Sequence, residues 1–89
     1  PTEKPLDLEA TLRMAHDDDA ERLRQVIQSA TASSRAFDIT YRHLTPDRQE
    51  KVIHITSYPV FDPAGVLVNY RGRCTDVTEQ HRLSESLRR

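Results

Sequence analysis

Residues 50–77, EKVIHITSYPVFDPAGVLVNYRGRCTDV, decide the fold, because they hold two β-strand patterns on either side of a tight turn. In Glu50 to Phe61 side chains alternate between two faces, one of them carrying Ile53, Ile55 and Ser57. Asp62-Pro63-Ala64-Gly65 then supplies a proline suited to a φ of about −65° and a glycine that can adopt a positive φ. In Val66 to Val77 the alternation turns four residues inward: Val68, Tyr70, Gly72 and Cys74. The stretch predicts an antiparallel hairpin.

A third strand pattern lies immediately upstream. From Ala36 the period is two, and one face carries Phe37, Ile39, Tyr41 and His43. Thr45-Pro46-Asp47-Arg48 has the composition of a turn that joins this strand to the hairpin. Three strands connected by short turns form an antiparallel meander.

Helical patterns precede and follow the meander. Pro1 to Pro5 is a polar tail, and Asp7 is a candidate N-cap for a short helix with Leu8, Leu12 and Ala15 on one face. A second helix is predicted from about Asp19 to Thr31, with Asp18 and Glu21 spaced as a capping box; its buried stripe is Ala20, Leu23, Ile27 and Ala30. An amphipathic segment, Glu79 to Arg89, follows the strands. The fold class is α+β.

Composition limits the function classes that the chain can support. The 89 residues are 36% hydrophobic and 30% charged, which gives one small domain with a thin core that needs another subunit or further sequence. A formal net charge of −1 offers no basic field for nucleic acid, and a single cysteine excludes an internal disulfide framework. There is no apolar run of roughly 18 residues and no signal segment, so a cytoplasmic location without membrane contact is expected.

Short motifs, in order, carry a resemblance to a known family. They are His16-Asp17-Asp18-Asp19, Tyr41-Arg42, Pro59-Val60-Phe61-Asp62 with Gly65, Gly72, Asp76-Val77-Thr78-Glu79, and finally Glu85 and Leu87. In this order and spacing the chain resembles the C-terminal two-thirds of a PAS domain, including its PAC segment, from His16 to Leu87. It departs from the family pattern in Asp17, where Pro is usual, and in Arg48, which replaces the usual turn Gly.

The resemblance implies a PAS-like α+β fold in an N-terminally truncated form. The three-stranded antiparallel meander would be the remnant of a five-stranded sheet, preceded by two helices and followed by a linker helix. The family's first two strands and early short helices have no counterpart upstream of Pro5. The exposed sheet edge would then be covered by a partner or by missing residues. Residues 1–78 would form the partial sensory domain, and residues 79–89 would begin the linker helix.

The exit motif is the predicted signal relay. Asp76 ends the last strand, where its carboxylate can accept N–H groups at the start of the following helix, and Thr78 can cap the same turn. With Val77, these residues would transmit a pull on the strand into the helix. Leu83 and Leu87 could begin a two-helix coiled-coil interface that continues into an output domain. The simpler alternative is that the residues only cap and pack the domain.

A ligand pocket is implied on the concave face of the sheet. The candidates are the inward residues of the three strands: Ile39, Tyr41, His43, Ile53, Ile55, Ser57, Tyr70, Gly72 and Cys74. Gly72 would leave room for close approach, and a few polar groups lie in an apolar wall, as a small-molecule pocket requires. The alternative, a filled core that includes Phe37 and Val68, is favoured because apolar stripes usually serve packing.

Known cofactors and metals find little support in the sequence. Where photosensory relatives carry flavin-binding Asn, Asn and Gln, this chain has His43, Ile53 and Cys74, and no histidine lies between Asp19 and Ser34 to ligate haem. Flavin and haem are therefore disfavoured, and the cofactor remains unknown. The acid run Asp17 to Asp19 lacks EF-hand spacing and complements a helix dipole instead.

Two further expectations concern single side chains. Cys74 is expected to be buried as a small apolar residue. Arg71 and Arg73, with Arg42, would line the outer sheet face, where solvent or a partner carboxylate could meet them.

The sequence predicts a sensory and signal-transduction module from a longer protein. It has no phosphate loop, nucleophile elbow or His-Glu-x-x-His motif, so we expect no enzymatic activity. The output domain could belong to two-component signalling (a histidine kinase), to cyclic-di-nucleotide signalling (a diguanylate cyclase) or to a transcriptional regulator. A ligand-free homodimerisation module is the main alternative, and a small α+β enzyme subunit is a third.

Overall fold

The computed structural model describes residues 4–87 of the chain. The elements in chain order are β1 (Lys4–Pro5), α1 (Leu8–Met14), α2 (Asp17–Ser33), β2 (Phe37–Leu44), β3 (Glu50–Phe61), β4 (Leu67–Asp76) and α3 (Thr78–Leu87). The α+β class, the meander and the flanking helices agree with the prediction.

The two N-terminal helices begin at different kinds of cap. The Asp7 carboxylate accepts the N–H of Ala10 at 3.0 Å, as predicted. The expected capping box of Asp18 and Glu21 is wrong, because Nδ1 of His16 accepts the N–H of Asp18 at 3.0 Å and makes His16 the N-cap of α2. Glu21 instead pairs with Arg24 on the helix surface.

The strands form one antiparallel sheet in the order β1-β4-β3-β2. Lys4 and Pro5 pair with Gly72 and Arg71, and the N–H of Leu6 donates to the carbonyl oxygen of Tyr70 at 3.0 Å. The polar-tail prediction is therefore wrong for Lys4 and Pro5, which add a two-residue strand at the edge of β4. Residues 1–3 lie outside the described part.

The inner face of the sheet, which carries the odd-numbered residues of β2 and β3, holds the core. Leu23, Ile27 and Ala30 of α2 pack in one cluster with buried residues of the sheet: Phe37, Ile39, Tyr41, Ile55 and Tyr70. The Tyr70 hydroxyl lies 3.0 Å from the carbonyl oxygen of Ala30 and 2.8 Å from that of Arg35, so the buried phenol is hydrogen-bonded. These contacts hold the C-terminal end of α2 against β4.

A bulge near the hairpin tip changes which residues of β4 face the core. Val60 pairs with Asn69 and Phe61 pairs with Leu67, so Val68 is the extra residue without an opposite partner. Val68 is 60% exposed, and Leu67 packs against the core in its place. The inward placement of Val68 is therefore wrong, because simple alternation does not account for the extra residue.

The outer face of the sheet carries the even-numbered residues of β2 and β3 and, beyond the bulge, the odd-numbered residues of β4 from Asn69 to Thr75. Val52 is buried on this face but lies outside the core cluster, at the end of the sheet where α3 begins. Among residues 4–87, no helix has both the length and the hydropathy that a membrane span needs.

Candidate functional site

The strand register brings the predicted pocket residues together on the inner face. Ile39 is opposite Ile55, Tyr41 is opposite Ile53, and Ser57 is opposite Gly72. Six of the candidates are buried, namely Ile39, Tyr41, Ile55, Ser57, Tyr70 and Gly72, whereas His43 and Ile53 are half-buried. Leucines of both N-terminal helices pack on the same cluster. All of these candidates except the exposed Cys74 therefore lie on an inner face that the helices cover.

Among the residues that the structure describes, two buried polar atoms on this face have no hydrogen-bond partner, Nδ1 of His43 and Oγ of Ser57. The His43 ring packs edge-on against Tyr41, with centroids 6.3 Å apart. Burial, with a smaller contribution from Cys74, raises the pKa of Tyr41 to about 12, so its phenol stays protonated at neutral pH. A ligand beside Tyr41 would meet a neutral hydroxyl group.

Cys74 and Gly72 differ from their predicted environments. Cys74 is opposite Ile55 on the inner face but is exposed, which overturns its expected burial. At Gly72 a Cβ would stand 2.0 Å from the carbonyl oxygen of Thr56. The glycine is needed for close approach of β3 itself, whatever else binds there.

Two of the clefts at the surface of the described residues lie away from most of these candidates. One of about 360 Å³ lies between α2 and the start of β2, where Arg22, Arg35 and Phe37 contribute to its wall. The other, of about 1530 Å³, lies between α3 and the outer face and is lined by residues that include Val52, Asp76 and Thr78. The larger cleft therefore adjoins the predicted relay.

The relay residues form a hydrogen-bonded junction between β4, β3 and α3. Oδ1 of Asp76 accepts the N–H of Thr78 at 2.9 Å and its hydroxyl at 2.5 Å. The Thr78 hydroxyl oxygen in turn accepts the N–H of Val52 at 3.0 Å, and the N–H of Val77 donates to the carbonyl oxygen of Val52 at 2.9 Å. The β3–β4 ladder thus continues through a side chain into the first residue of α3.

The charge on Asp76 strengthens this junction. Hydrogen bonds from Thr78, with Lys51 and Arg82 nearby, lower the pKa of Asp76 below its usual value. The ammonium of Lys51 lies 3.8 Å from Oδ2 of Asp76. The carboxylate is therefore ionised at neutral pH, and its hydrogen bonds to Thr78 join the end of β4 to the start of α3.

A second cluster, at the start of α2, was not predicted from the sequence. The carboxylate of Asp19 accepts the N–H of Arg42 at 2.7 Å, its Nε at 3.1 Å and its Nη2 at 2.9 Å. These hydrogen bonds, together with the charge of Arg42, lower the pKa of Asp19 to about 2 against the cost of burial. Arg42 therefore bends from the outer face around the sheet edge to reach α2, which corrects its expected role as an outer-face side chain.

Asp19 did carry a signal in the sequence. Asp19, Leu23 and Ile27 are spaced by four residues, so Asp19 continues the buried stripe of α2 towards its N-terminus. A buried acid on such a stripe needs a cationic partner, and Arg42 in the next element supplies it. Reading the acid run only as a complement to the helix dipole hid this pairing.

One rung of the sheet connects the two clusters. Arg42 is directly opposite Val52 in the β2–β3 ladder, and Val52 hydrogen-bonds to Val77 and Thr78. The path from Asp19 through Arg42 and Val52 to Thr78 links the start of α2 to the start of α3. Among residues 4–87, no group of three or more acidic, histidine or cysteine side chains could hold a metal ion.

Comparisons with known proteins agree on one fold. A family model described as PAS fold matches residues 2–74. No curated protein sequence matches the chain significantly. Among solved structures, a sensory box histidine kinase/response regulator from Burkholderia thailandensis aligns with a TM-score of 0.73 at 24% identity, over 84% of this chain and 57% of that chain. This chain therefore spans little more than half of that structure.

Two further structures extend the comparison. The N-terminal domain of a diguanylate cyclase with a PAS/PAC sensor, from Marinobacter aquaeolei, aligns with a TM-score of 0.78 at 20% identity, over 84% of this chain and 69% of that chain. A Rhodobacter sphaeroides LOV protein aligns with a TM-score of 0.64 at 14% identity, over 83% of this chain and 42% of that chain. At these identities the similarity shows the fold alone.

Proposed function

The chain belongs to the PAS fold family, and from that premise we propose that it relays a signal from its sheet through Asp76, Val77 and Thr78 into α3. The sensory part is residues 1–78, and residues 79–89 begin the linker helix to an output domain. The output domain is a histidine kinase or a diguanylate cyclase, which are the two kinds of protein named for similar structures, or else a transcriptional regulator. The module acts by regulation rather than by catalysis.

One observation carries this proposal, the hydroxyl of Thr78 that joins Asp76 to the N–H of Val52. A shift of β3 relative to β4 would lengthen one of these bonds. Since Thr78 is the first residue of α3, the helix start would move or fray with it. Apart from this junction, α3 makes few contacts with the rest of the domain: its Leu83 and Leu87 side chains are 60% and 85% exposed.

The path from Asp19 through Arg42 and Val52 to Thr78 gives the relay an input. Tilting of α2, which covers the inner face, would act on Arg42 through the bonds from Asp19. Arg42 shares its rung with Val52, so the displacement reaches the junction over two strands. A ligand on the inner face would be sensed in this way, and the unpartnered Nδ1 of His43 and Oγ of Ser57 are its candidate contacts.

The inner face of the sheet is the proposed ligand site, and the identity of the ligand is left open. The candidate residues are the nine predicted ones, from Ile39 to Cys74. Flavin and haem remain disfavoured on the sequence grounds given above. Extraction of the purified protein followed by mass spectrometry tests for a bound molecule. A stoichiometric compound supports sensing of a small molecule, and an empty protein shifts the input to a protein partner.

The relay is tested with Asp76→Ala in the full-length parent protein. Asp62 provides a matched control, since its Oδ1 likewise accepts two hydrogen bonds in a turn, here from the backbone N–H groups of Ala64 and Val66 at the far hairpin. We expect Asp76→Ala to uncouple output from the stimulus with the fold retained by circular dichroism, and Asp62→Ala to leave the response in place. A normal response with Asp76→Ala contradicts the relay.

A second candidate function is ligand-free homodimerisation. The exposed Leu83 and Leu87 of α3, four residues apart, favour it, because they lie on one side of the helix. An empty protein that forms a concentration-dependent dimer in analytical ultracentrifugation and gives no stimulus response supports this function over sensing.

A further inference from the structure

The sheet has an edge at β2 that is open over part of its length. β2 ends the strand order β1-β4-β3-β2, so within the described residues no strand pairs with its other side. The main-chain groups of Arg42 point to this edge, because its N–H reaches the Asp19 carboxylate and its carbonyl oxygen accepts the N–H of His16 at 2.8 Å. Main-chain direction alternates along a strand, so those of Thr40 and Asp38 point the same way.

These outward main-chain groups are only partly used. The carbonyl oxygen of Thr40 accepts a hydrogen bond from Nη2 of Arg22 at 2.9 Å. Among the residues that the structure describes, none hydrogen-bonds to the N–H of Thr40 or to either main-chain group of Asp38, and both residues are exposed. Unpaired N–H and carbonyl groups on a strand edge are a template for another extended segment. The edge from Ala36 to Thr40 has room for about five residues.

The smaller cleft, of about 360 Å³, runs along this edge. Arg22 lines it near Thr40, and Arg35 lines it where β2 begins. Val26 and Phe37 give its wall an apolar part. An extended peptide that adds to a sheet edge gains affinity from main-chain hydrogen bonds and specificity from pockets for alternate side chains. The open edge supplies the first, and the cleft supplies the second.

The charge of the cleft selects an acidic occupant. Among the described residues that line it, two are arginines and none is acidic, although the whole chain has a formal net charge of −1. Oδ2 of Asp19 lies 4.0 Å from Nη2 of Arg22, but it is already hydrogen-bonded to Arg42. The exposed guanidinium groups of Arg22 and Arg35 can therefore each bind a further carboxylate.

We propose that the cleft and the β2 edge together bind an extended acidic segment of a partner protein. The segment runs antiparallel to β2 and pairs its main chain with Asp38. Its side chains that turn towards α2 fall at every second position. The one opposite Phe37 is apolar, and those on either side of it are acids that reach Arg22 and Arg35. The segment therefore has the pattern acid, any residue, apolar residue, any residue, acid.

The test uses the synthetic peptide Ser-Asp-Thr-Val-Thr-Asp-Ser, labelled with fluorescein, and measures its binding to the full chain by fluorescence anisotropy at low salt. We expect a dissociation constant on the order of 100 μM, because the contact is small, and weaker binding as the salt concentration rises. Arg35→Glu should raise the constant roughly tenfold, since an attractive pair becomes repulsive. Arg24→Glu is the matched control, because it makes the same charge change at an exposed arginine that pairs with Glu21 outside the cleft. It should change the constant less than about threefold.

Backbone N-methylation of the peptide separates strand addition from simple charge attraction, and it needs no change to the protein. In the proposed register both Thr residues of the peptide point their N–H groups at β2, and the Val points its N–H away. Methylation of the two Thr nitrogens should weaken binding at least about tenfold, and methylation of the Val nitrogen less than about threefold. The amide signal of Asp38 in NMR spectra should shift when the unmodified peptide binds.

Several results would overturn the proposal. They are no binding at about 1 mM peptide, equal effects of the two methylations, or equal effects of Arg24→Glu and Arg35→Glu. An Asp38 shift produced as well by glutarate assigns the cleft to a small dicarboxylate, and one that grows with chain concentration alone assigns the edge to a second copy. The proposal goes beyond the relay and is tested apart from it, because Thr78 variants report on the relay and the Asp38 amide on docking.

Discussion

Replacing Asp19 by Asn should remove the contact that holds α2 to the edge of β2. The Arg42 side chain and N–H together give the Asp19 carboxylate three hydrogen bonds and lower its pKa from the ordinary 3.8 to about 2. A depression of this size corresponds to about 2 kcal/mol of folding stability. In a domain of this length such a loss lowers the melting temperature by about 8–16 °C.

The pH dependence of this loss follows from the sign of the pKa change. Since the folded pKa is below the unfolded one, the stabilisation is fully present above a pH of about 4 and is lost as the pH falls towards 2. The free energy of unfolding from urea titrations should therefore differ by about 2 kcal/mol between the original and Asp19→Asn at pH 7, and the difference should shrink towards pH 2.

Asp17→Asn is the matched control for this experiment. Asp17 is also in the first turn of α2 but is exposed, so its loss acts through the helix dipole and costs less than about 1 kcal/mol. Equal losses for the two variants, or a difference for Asp19→Asn that does not change between pH 7 and pH 2, would refute the reasoning.

Two further variants test the backbone of the sheet. Gly72→Ala should lower the free energy of unfolding in urea titrations by about 3 kcal/mol or more, because its Cβ would stand 2.0 Å from a backbone oxygen of Thr56. Gly65→Ala meets open space and should lower it by about 1 kcal/mol, because the residue has a φ of +82°. Similar losses at both glycines would contradict the close approach. Arg48→Gly should raise stability by about 0.5–1 kcal/mol, because Arg48 has a φ of +65° that strains a side chain, while Arg48→Ala should bring no gain.

The meander and the exit motif were predictable because they depend on local patterns. Alternation over Glu50 to Phe61 predicted β3 with its observed bounds, and the spacing of Asp76 and Thr78 predicted the capped turn at α3. The turn at Arg48 keeps a positive φ without the usual glycine. In each of these cases the physical cause lies within a few residues of the feature.

The features that were missed depend on contacts between distant segments. Alternation could not reveal the bulge that exposes Val68, because the extra residue is defined only by pairing with Val60 and Phe61. The burial of Asp19 depends on Arg42, 23 residues away.

The most direct test of the relay is a double-mutant cycle between Asp19 and Thr78, read by amide hydrogen exchange at Val52 and in the first turn of α3. Thr78→Val removes the hydroxyl that accepts the N–H of Val52, and Thr78→Ser keeps it. Since the hydrogen bond contributes about 1 kcal/mol, Val52 should exchange roughly fivefold faster in Thr78→Val but not in Thr78→Ser. The relay predicts that Asp19→Asn also speeds exchange in α3 when Thr78 or Ser is present and has no such effect with Val. Additive effects of the two substitutions on α3 would contradict the relay.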